Sequence, residues 1–485
     1  MKYDYDVIVA GAGIGGTLTA STIMKNSPSL KVLLIDRNPE PVAGRKTGNG
    51  WICGDAVSKR SIDYIEDNIG VKYSKPELEH PVKGVVAFSP DRKSKMLFDG
   101  KGYVLNRKLL PQKQITDAKK FGVEIKFELS AEQLIADNGN IIGIEGRNLK
   151  DKSSFKKTAK IVVDATGSAS RLRLNLPIKT QIQTEIDKAN DMESTGRYIF
   201  DFEKGIEDKT FFDPEYCIIH LDQVQAPGGY AWVFPKSKNK VNIGLGVQGK
   251  SLDRRNKRLG KTDSLKSLIN EYVTLNKSIV NPTLSENIDD MGNSQGTWQV
   301  SVRRQNDCMV ANGYAIVGDS AWMARPIDAG GIGPAIYASI TLGNVIADAI
   351  ESKDYSEEKL WRYNSEYMTK FGNQMASFEV LRRFLQITSN EEISYGMKNF
   401  LSLDDVESIT KREHPKWGRI ALLNPILWFR ALFHIRLARG LRHTAKKSSE
   451  LVDLYSKYPD SPKDFKVWHN TLLKSLDESF ETLSI

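Results

Sequence analysis

Gly11, Gly13 and Gly16 stand directly behind the short apolar run Asp6 to Ala10, and a small-residue segment, Thr17 to Lys25, follows them. Glycines at this spacing between a buried parallel strand and a helix let a chain wrap a pyrophosphate. Gly11 permits the tight turn, Gly13 lets phosphate approach the backbone, and Gly16 allows close helix packing on the strand. Ile14 and Gly15 complete the loop at the positive end of the helix and belong to the same contact set. A second apolar strand, Lys31 to Ile35, ends in Asp36, twenty residues beyond Gly16. That acid is placed to accept a hydrogen bond from an adenosine ribose, with Arg37 beside it. A glycine-rich turn without nucleotide has no need of strand, loop, helix, strand and acid in this order. The segment reads as dinucleotide-binding.

Two later strands end in turns of defined chemistry. Ile161 to Asp164 runs into Ala165-Thr166-Gly167, and Tyr314 to Val317 runs into Gly318-Asp319. Both resemble flavoprotein motifs of the p-hydroxybenzoate-hydroxylase-like group. That resemblance implies FAD, with Ala165, Gly167 and Gly318 against it and Asp319 at its ribityl chain. Without flavin, Asp319 reads as a helix N-cap or turn residue. Arg325 to Pro334, containing Gly330, Gly331 and Ile332, then leads into a long apolar helix, about 335–350. A helix N-terminus carries free amides and a partial positive charge. Amides of Gly330, Gly331 and Ile332 there would stabilise an anionic reduced flavin without a charged side chain.

In Tyr230-Ala-Trp232-Val-Phe234-Pro235 the strand period of two puts three aromatic rings on one face. After the turn 236–239, Val241, Ile243, Leu245 and Val247 alternate with Asn242, Gly244 and Gly246. Strand glycines often mark close approach of a ligand or another backbone. From the pattern alone this is equally an ordinary half-buried hairpin. The run YxWxFP, eight residues, then GxG resembles the signature of the geranylgeranyl reductase family. In that family the sheet lines a polyprenyl pocket, so the resemblance implies substrate contacts at Tyr230, Trp232, Phe234, Gly244 and Gly246. Residues 244–249 also match GxGxxG, but Lys250 to Arg258 is charged without an apolar stripe, so no helix is expected there and the match reads as coincidence.

Cys53-Gly54-Asp55-Ala56 resembles the same family, where a cysteine lies beside the flavin ring. A lone cysteine is otherwise a small buried hydrophobe. Under the resemblance, Cys53 with Gly330 and Gly331 forms the reacting region, and Gly54 joins the flavin contacts. Arg45 and Lys46 could meet flavin phosphate or a substrate head group, or be ordinary surface residues. Arg107 resembles a family arginine near the pyrophosphate.

The resemblance covers about residues 1–350. It implies a reductase of the archaeal type that saturates double bonds of geranylgeranyl chains on membrane-lipid precursors, drawing electrons from a transient donor, NAD(P)H or a ferredoxin. Aromatic monooxygenases and halogenases of the same superfamily stay open, the latter through a Trp-x-Trp motif not unlike Tyr230-Ala-Trp232. A non-catalytic prenyl carrier is the third reading, against which the flavin motifs speak.

The expected fold is a Rossmann-like FAD domain (residues 1–75, 103–175 and 300–355) interleaved with an antiparallel substrate sheet (76–102 and 176–299). A helical region, 356–485, completes it. The chain has 485 residues, 40% of them hydrophobic, enough for a large core. A net charge of +9 suits anionic lipid head groups or a membrane surface, and neither nucleic-acid signatures nor metal-ligand spacings occur. Three cysteines fit a reducing compartment, with one conceivable bridge, Cys217 to Cys308. The first strand begins within six residues, so a cytoplasmic protein without leader is expected, associated at most with the membrane's inner face. The nearest approach to a membrane segment is the helix expected after Asn424-Pro425, over Ile426 to His443. Its apolar residues surround the wheel with arginines between them. Packing on the body is expected before membrane contact.

Overall fold

The computed structural model describes residues 2–41, 53–285, 294–400 and 434–483. Two sheets organise it. Tyr5–Ala10 lies between Val32–Asp36 and Ser154–Asp164, parallel to both, and Tyr314–Ile316 continues the parallel order beyond Ser154–Asp164. Val7, Ile8, Val9 and Ala10 are at most 1% exposed, as a strand buried on both faces requires. Helices Ile14–Asn26 and Ile332–Glu351 pack against each other beside this sheet. The expected strand–loop–helix–strand order is present, with the second strand one residue later than read from sequence.

The second sheet is mainly antiparallel. The aromatic strand Ala231–Pro235 lies between Tyr216–His220 and Lys240–Gln248. Met192–Lys204 pairs with Lys240–Gln248 on the far side. Ala231, Val233, Val241, Ile243, Leu245 and Val247 pack into one core with helix Leu265–Leu275. Trp232 and Phe234 face the other way, against Val82, Val104 and Cys217. The two-residue alternation thus divides the hairpin as expected.

One expectation is corrected. A helix, Gly249–Leu259, does follow the second GxGxxG match, burying Ser251 and Arg255 rather than an apolar stripe. Its glycines Gly244 and Gly246 lie within a strand, not in a loop before a helix, so the match has no phosphate-binding geometry. Ala56–Ser58 pairs in the second sheet, and helix Lys59–Ile69 packs back on Ile14–Asn26 and Ile332–Glu351 beside the first. Cys217 and Cys308 are free thiols, one in each half of the molecule.

The described part of 356–483 is helical: Glu357–Tyr367, a π-turn Met368–Gly372, Asn373–Gln386, Asn390–Asn399, Ile435–Tyr455 and Pro462–Leu483. Of the helix expected from residue 426, Ile426, Trp428, Phe429, Leu432 and Phe433 lie outside the described residues. Its described continuation packs on the body through Leu437, Leu451 and Tyr455, which are at most 2% exposed. Among the described residues no helix is long and apolar enough to cross a membrane.

Candidate functional site

The first strand turns at Gly11, whose φ of +107° favours glycine; a Cβ there would lie 2.2 Å from the Ala165 carbonyl oxygen. A Cβ on Gly16 would lie 1.8 Å from the Gly11 oxygen, so the helix sits directly on the loop. A Cβ on Gly13, by contrast, meets no atom within 4 Å. The helix Ile14–Asn26 begins there without a side-chain cap, leaving its first amides to a ligand. Asp36 braces this loop, accepting from the Ala12 and Asn38 amides, each at 2.7 Å. Burial pushes its carboxyl up, while those amides pull it down. Under the expected binding mode its remaining lone pairs serve the ribose. Arg37 is exposed at the same strand end, and Arg45 lies outside the described residues.

Asp164 ties the neighbouring turns together. It accepts from the Thr166 amide at 2.9 Å, from the Ser170 hydroxyl, and from the Tyr314 phenol at 3.0 Å, while its carbonyl takes the Ser320 hydroxyl at 2.6 Å. Gly167 (φ +87°) and Gly318 (φ +73°) turn the chain beside it. Asp319 follows and makes no cap. Burial pushes its carboxyl up, with the Arg107 charge pulling it down. Among the described residues no hydrogen bond reaches that carboxylate. Asp319 is half-buried, and a carboxylate there without a protein donor is open to a ligand's hydroxyls. It lies beside Gly331, where a Cβ would come within 3.2 Å of Asp319 Oδ1. The open Gly13, the uncapped helix and this waiting carboxylate fit a dinucleotide with a polyhydroxy chain.

Helix Ile332–Glu351 starts at Gly331, also without a side-chain cap. The expectation of three available amides is corrected at Gly330, whose N–H donates to Asp328 Oδ1 at 3.0 Å. Asp328 is held in turn by Arg325, and its carbonyl accepts from the Tyr230 hydroxyl at 2.6 Å. Tyr230, directly before the aromatic strand, thereby positions the glycine turn.

The aromatic hairpin also holds the Cys53 segment. Trp232 Nε1 donates to Asn242 Oδ1 at 2.9 Å, and Asn242 Nδ2 donates to the Cys53 carbonyl at 2.8 Å and to Asp55 Oδ2 at 3.0 Å. Asp55, fully buried, also meets Lys236 Nζ at 3.2 Å and Arg107 Nε at 3.8 Å. Lys236 reaches on to Glu79 at 3.0 Å. Gly54 lies flat beneath Phe234, for a Cβ there would be 2.8 Å from the ring. Burial pushes the Cys53 thiol up, against the pull of Arg107. Replacing Asn242 with leucine removes a donor from Asp55 and an acceptor from Trp232. We expect a loss of about 1–3 kcal/mol, and faster alkylation of Cys53. Melting curves and thiol-labelling rates check both.

The Cys53 segment, the aromatic hairpin and the glycine turn converge on one cavity of about 1320 Å³, whose lining does not include the Gly11–Gly16 loop, Asp36 or Asp319. Cys53, Tyr230, Phe234 and the turn Arg325–Ile332 line one end, and Phe378, Leu385, Met397 and Leu441 from the C-terminal helices line another part. Two substrate expectations are corrected. Trp232 turns its indole to Asn242, behind the wall. The bare faces of Gly244 and Gly246 are filled by protein: a Cβ on Gly244 would lie 2.3 Å from the Trp232 ring, and one on Gly246 3.2 Å from Glu193 Oε2. Sequence reasoning missed Asp55, Lys236, Asn242 and Glu193, although Lys236 and Asn242 stand inside the YxWxFP–GxG interval. It also missed the helical wall.

The profile of the geranylgeranyl reductase catalytic domain matches residues 191–282, from the start of strand Met192–Lys204 through the aromatic hairpin. The chain is 31% identical over 485 residues to a digeranylgeranylglycerophospholipid reductase of Sulfolobus acidocaldarius, covering 99% of each chain. A geranylgeranyl bacteriochlorophyll reductase-like protein of Thermoplasma acidophilum superposes with a TM-score of 0.70 at 23% identity, over 92% of this chain and 99% of that one. The myxobacterial chondrochloren halogenase, an FAD-dependent halogenase, shares the fold at a TM-score of 0.62 and 18% identity, over 92% and 97%. The halogenase likeness is one of architecture. The full-length relationship carries through both sheets and the helical wall, and the chain belongs to the geranylgeranyl reductase family, among the FAD-dependent oxidoreductases of the digeranylgeranylglycerophospholipid reductase type.

Proposed function

We propose that this enzyme saturates the carbon–carbon double bonds of geranylgeranyl chains carried on isoprenoid membrane-lipid precursors. The observation that carries this reading is the continuity of the cavity. It exceeds the roughly 300–1,000 Å³ of ordinary ligand pockets and runs from the Cys53 and Gly330 turns to the apolar faces of the C-terminal helices. Reduced FAD supplies a hydride. An isolated trisubstituted alkene is not electrophilic, so the chain must hold it close, keep it dry and deliver a proton.

The residues divide these tasks. Gly11, Gly13, Ile14, Gly15, Gly16, Asp36, Ala165, Gly167, Gly318 and Asp319 hold the cofactor. Arg107 stands near Asp319 and Asp55, and Gly331 and Ile332 offer their amides to the flavin's anionic edge. Tyr230 and Phe234 wall the alkene beside Cys53, with Trp232 and Asn242 fixing that wall from behind. Electrons come from a transient donor, NAD(P)H or a ferredoxin, and the net charge of +9 favours contact with an anionic membrane surface at the cytoplasmic face.

The test uses purified holoenzyme, reduced anaerobically with dithionite and given geranylgeranyl pyrophosphate or a geranylgeranylated glycerol phosphate. Products heavier by two hydrogens per step, with reoxidised flavin, are expected. No mass gain, but rapid flavin oxidation on admitting oxygen with an aromatic substrate, would turn the assignment to a monooxygenase or halogenase.

A further inference from the structure

Glu193 lies at the start of strand Met192–Lys204, is 5% exposed, and lines the cavity. Its Oε1 accepts from Gln386 Nε2 at 3.2 Å. Its Oε2 lies over the bare backbone of two glycines: a Cβ on Gly229 would approach it to 3.3 Å and one on Gly246 to 3.2 Å. The second glycine of the GxG signature therefore makes room for a carboxyl group. Among the described residues neither an ion pair nor a further hydrogen bond reaches the Glu193 carboxyl. The cation that acts on it, Arg382, binds Asp191 at 2.8 Å, the Asn190 carbonyl and Gln386 Oε1 at 2.9 Å. A buried carboxyl supported by one neutral amide favours its protonated form. Burial pushes Glu193 up to about 7, against the pull of Arg382 and the Gln386 hydrogen bond.

The other proton-bearing groups at this end of the cavity serve less well. The Tyr230 hydroxyl is spent on the Asp328 carbonyl, and burial, with Asp328 and Glu193 nearby, pushes the phenol far up. Burial likewise pushes up the thiols of Cys53 and Cys217. Glu193 is within electrostatic reach of Tyr230, whose hydroxyl touches the turn leading to Gly330 and Gly331. Acid and glycine turn thus flank one aromatic ring.

We propose that Glu193 is the acid that protonates the alkene of the bound prenyl chain, an assignment that rests on the reductase function above. The O–H bond of Glu193 breaks as its proton forms a C–H bond with one alkene carbon, using the π electron pair. The other carbon accepts the hydride supplied by reduced FAD, which is thereby oxidised by two electrons. Glu193 is left as carboxylate and regains a proton from water before the next double bond. Burial sets its titration, opposed by Arg382 and the Gln386 hydrogen bond, both from helix Asn373–Gln386; Tyr230, on which Asp328 and Cys53 also act, lies within electrostatic reach.

The test compares full-length, FAD-loaded wild type with Glu193→Gln and Glu193→Asp. In the dithionite-reduced assay with geranylgeranyl pyrophosphate, Glu193→Gln should lose about 10²- to 10⁴-fold in rate, the usual contribution of a positioned acid. Wild-type turnover should fall as pH rises through about 7, where the acid loses its proton. Glu193→Asp should retain a pH-dependent rate, lower because the carboxyl is withdrawn by one methylene, which a merely structural glutamate would not predict. Independently of turnover, infrared titration should show a protonated-carboxyl C=O band that disappears near neutral pH in the wild type and is missing from Glu193→Gln. A Glu193→Gln enzyme that reduces the chain at the wild-type rate, or an unchanged carboxyl band, overturns the assignment alone. A wild type that leaves the prenyl chain unreduced overturns the parent function, and the assignment with it.

Discussion

A Gly13→Val protein should fold normally and purify colourless. Gly13 has an extended backbone, φ −71° and ψ −176°, which valine adopts without strain. A Cβ at this position meets no protein atom within 4 Å. The open space lies where the uncapped helix directs its first amides, so the branched side chain would occupy the pyrophosphate's place. A steric conflict of about 3 kcal/mol or more lowers FAD affinity at least about a hundredfold. Gly16→Ala should fail differently. Its methyl group would lie 1.8 Å from the Gly11 oxygen and 3.2 Å from the Ala165 Cβ, positions fixed by backbone and strand packing. That substitution should destabilise even the flavin-free protein, by about 3 kcal/mol or more. Thermal melts of flavin-stripped proteins separate the two, and flavin absorbance with titration of added FAD measures the first. Retention of bound FAD by Gly13→Val would remove the glycine loop from the cofactor site.

The contrast between these glycines shows what the sequence makes legible. The loop is local: a few consecutive residues after an apolar strand and before a helix determine it, so spacing alone makes the turn at Gly11 and the close packing at Gly16 legible. The aromatic hairpin is legible for the same reason, since its period of two directly divides core from cavity side. What such periodicity does not contain is which groups meet across the fold. Asn242 reaches the Cys53 carbonyl across 189 positions, and that contact exists only once the hairpin packs against the Cys53 segment. In the sequence Gly244 and Gly246 look like bare backbone for a ligand; the ring and carboxyl that fill their faces come from the neighbouring strands, as Trp232 and Glu193. The helical wall was hidden for another reason. Ile435–Tyr455 mixes arginines with its apolar residues, so its cavity-facing side emerges only from docking against Asn373–Gln386.

Helix Asn373–Gln386 is also tied to the body by charge, and Arg304→Met should show how strongly. Arg304 donates to both oxygens of Asp307, at 2.8 and 2.7 Å, and to Glu379 at 2.9 Å, joining the strand-connecting segment to helix Asn373–Gln386. His469 of the last helix meets the same Asp307 at 3.1 Å. Asp307 is completely buried and Glu379 is 1% exposed. Losing the cation leaves two carboxylates in the interior with weakened compensation, which costs about 3–5 kcal/mol at neutral pH. The pH dependence fixes the sign. Burial by itself raises both carboxyls; Arg304, with Arg303 beside it, overrides burial and holds both below their ordinary values. In the wild type their contribution is therefore present above the unfolded values, near 4, and lost as pH falls through the lower folded ones. Without Arg304, burial counts for more, the folded carboxyls rise, and acidification relieves part of the variant's penalty. The difference in melting temperature between wild type and variant should accordingly be widest near pH 7 and narrow toward pH 4. A constant difference over that range would mean that packing around Arg304, rather than its charge, holds the helical wall in place.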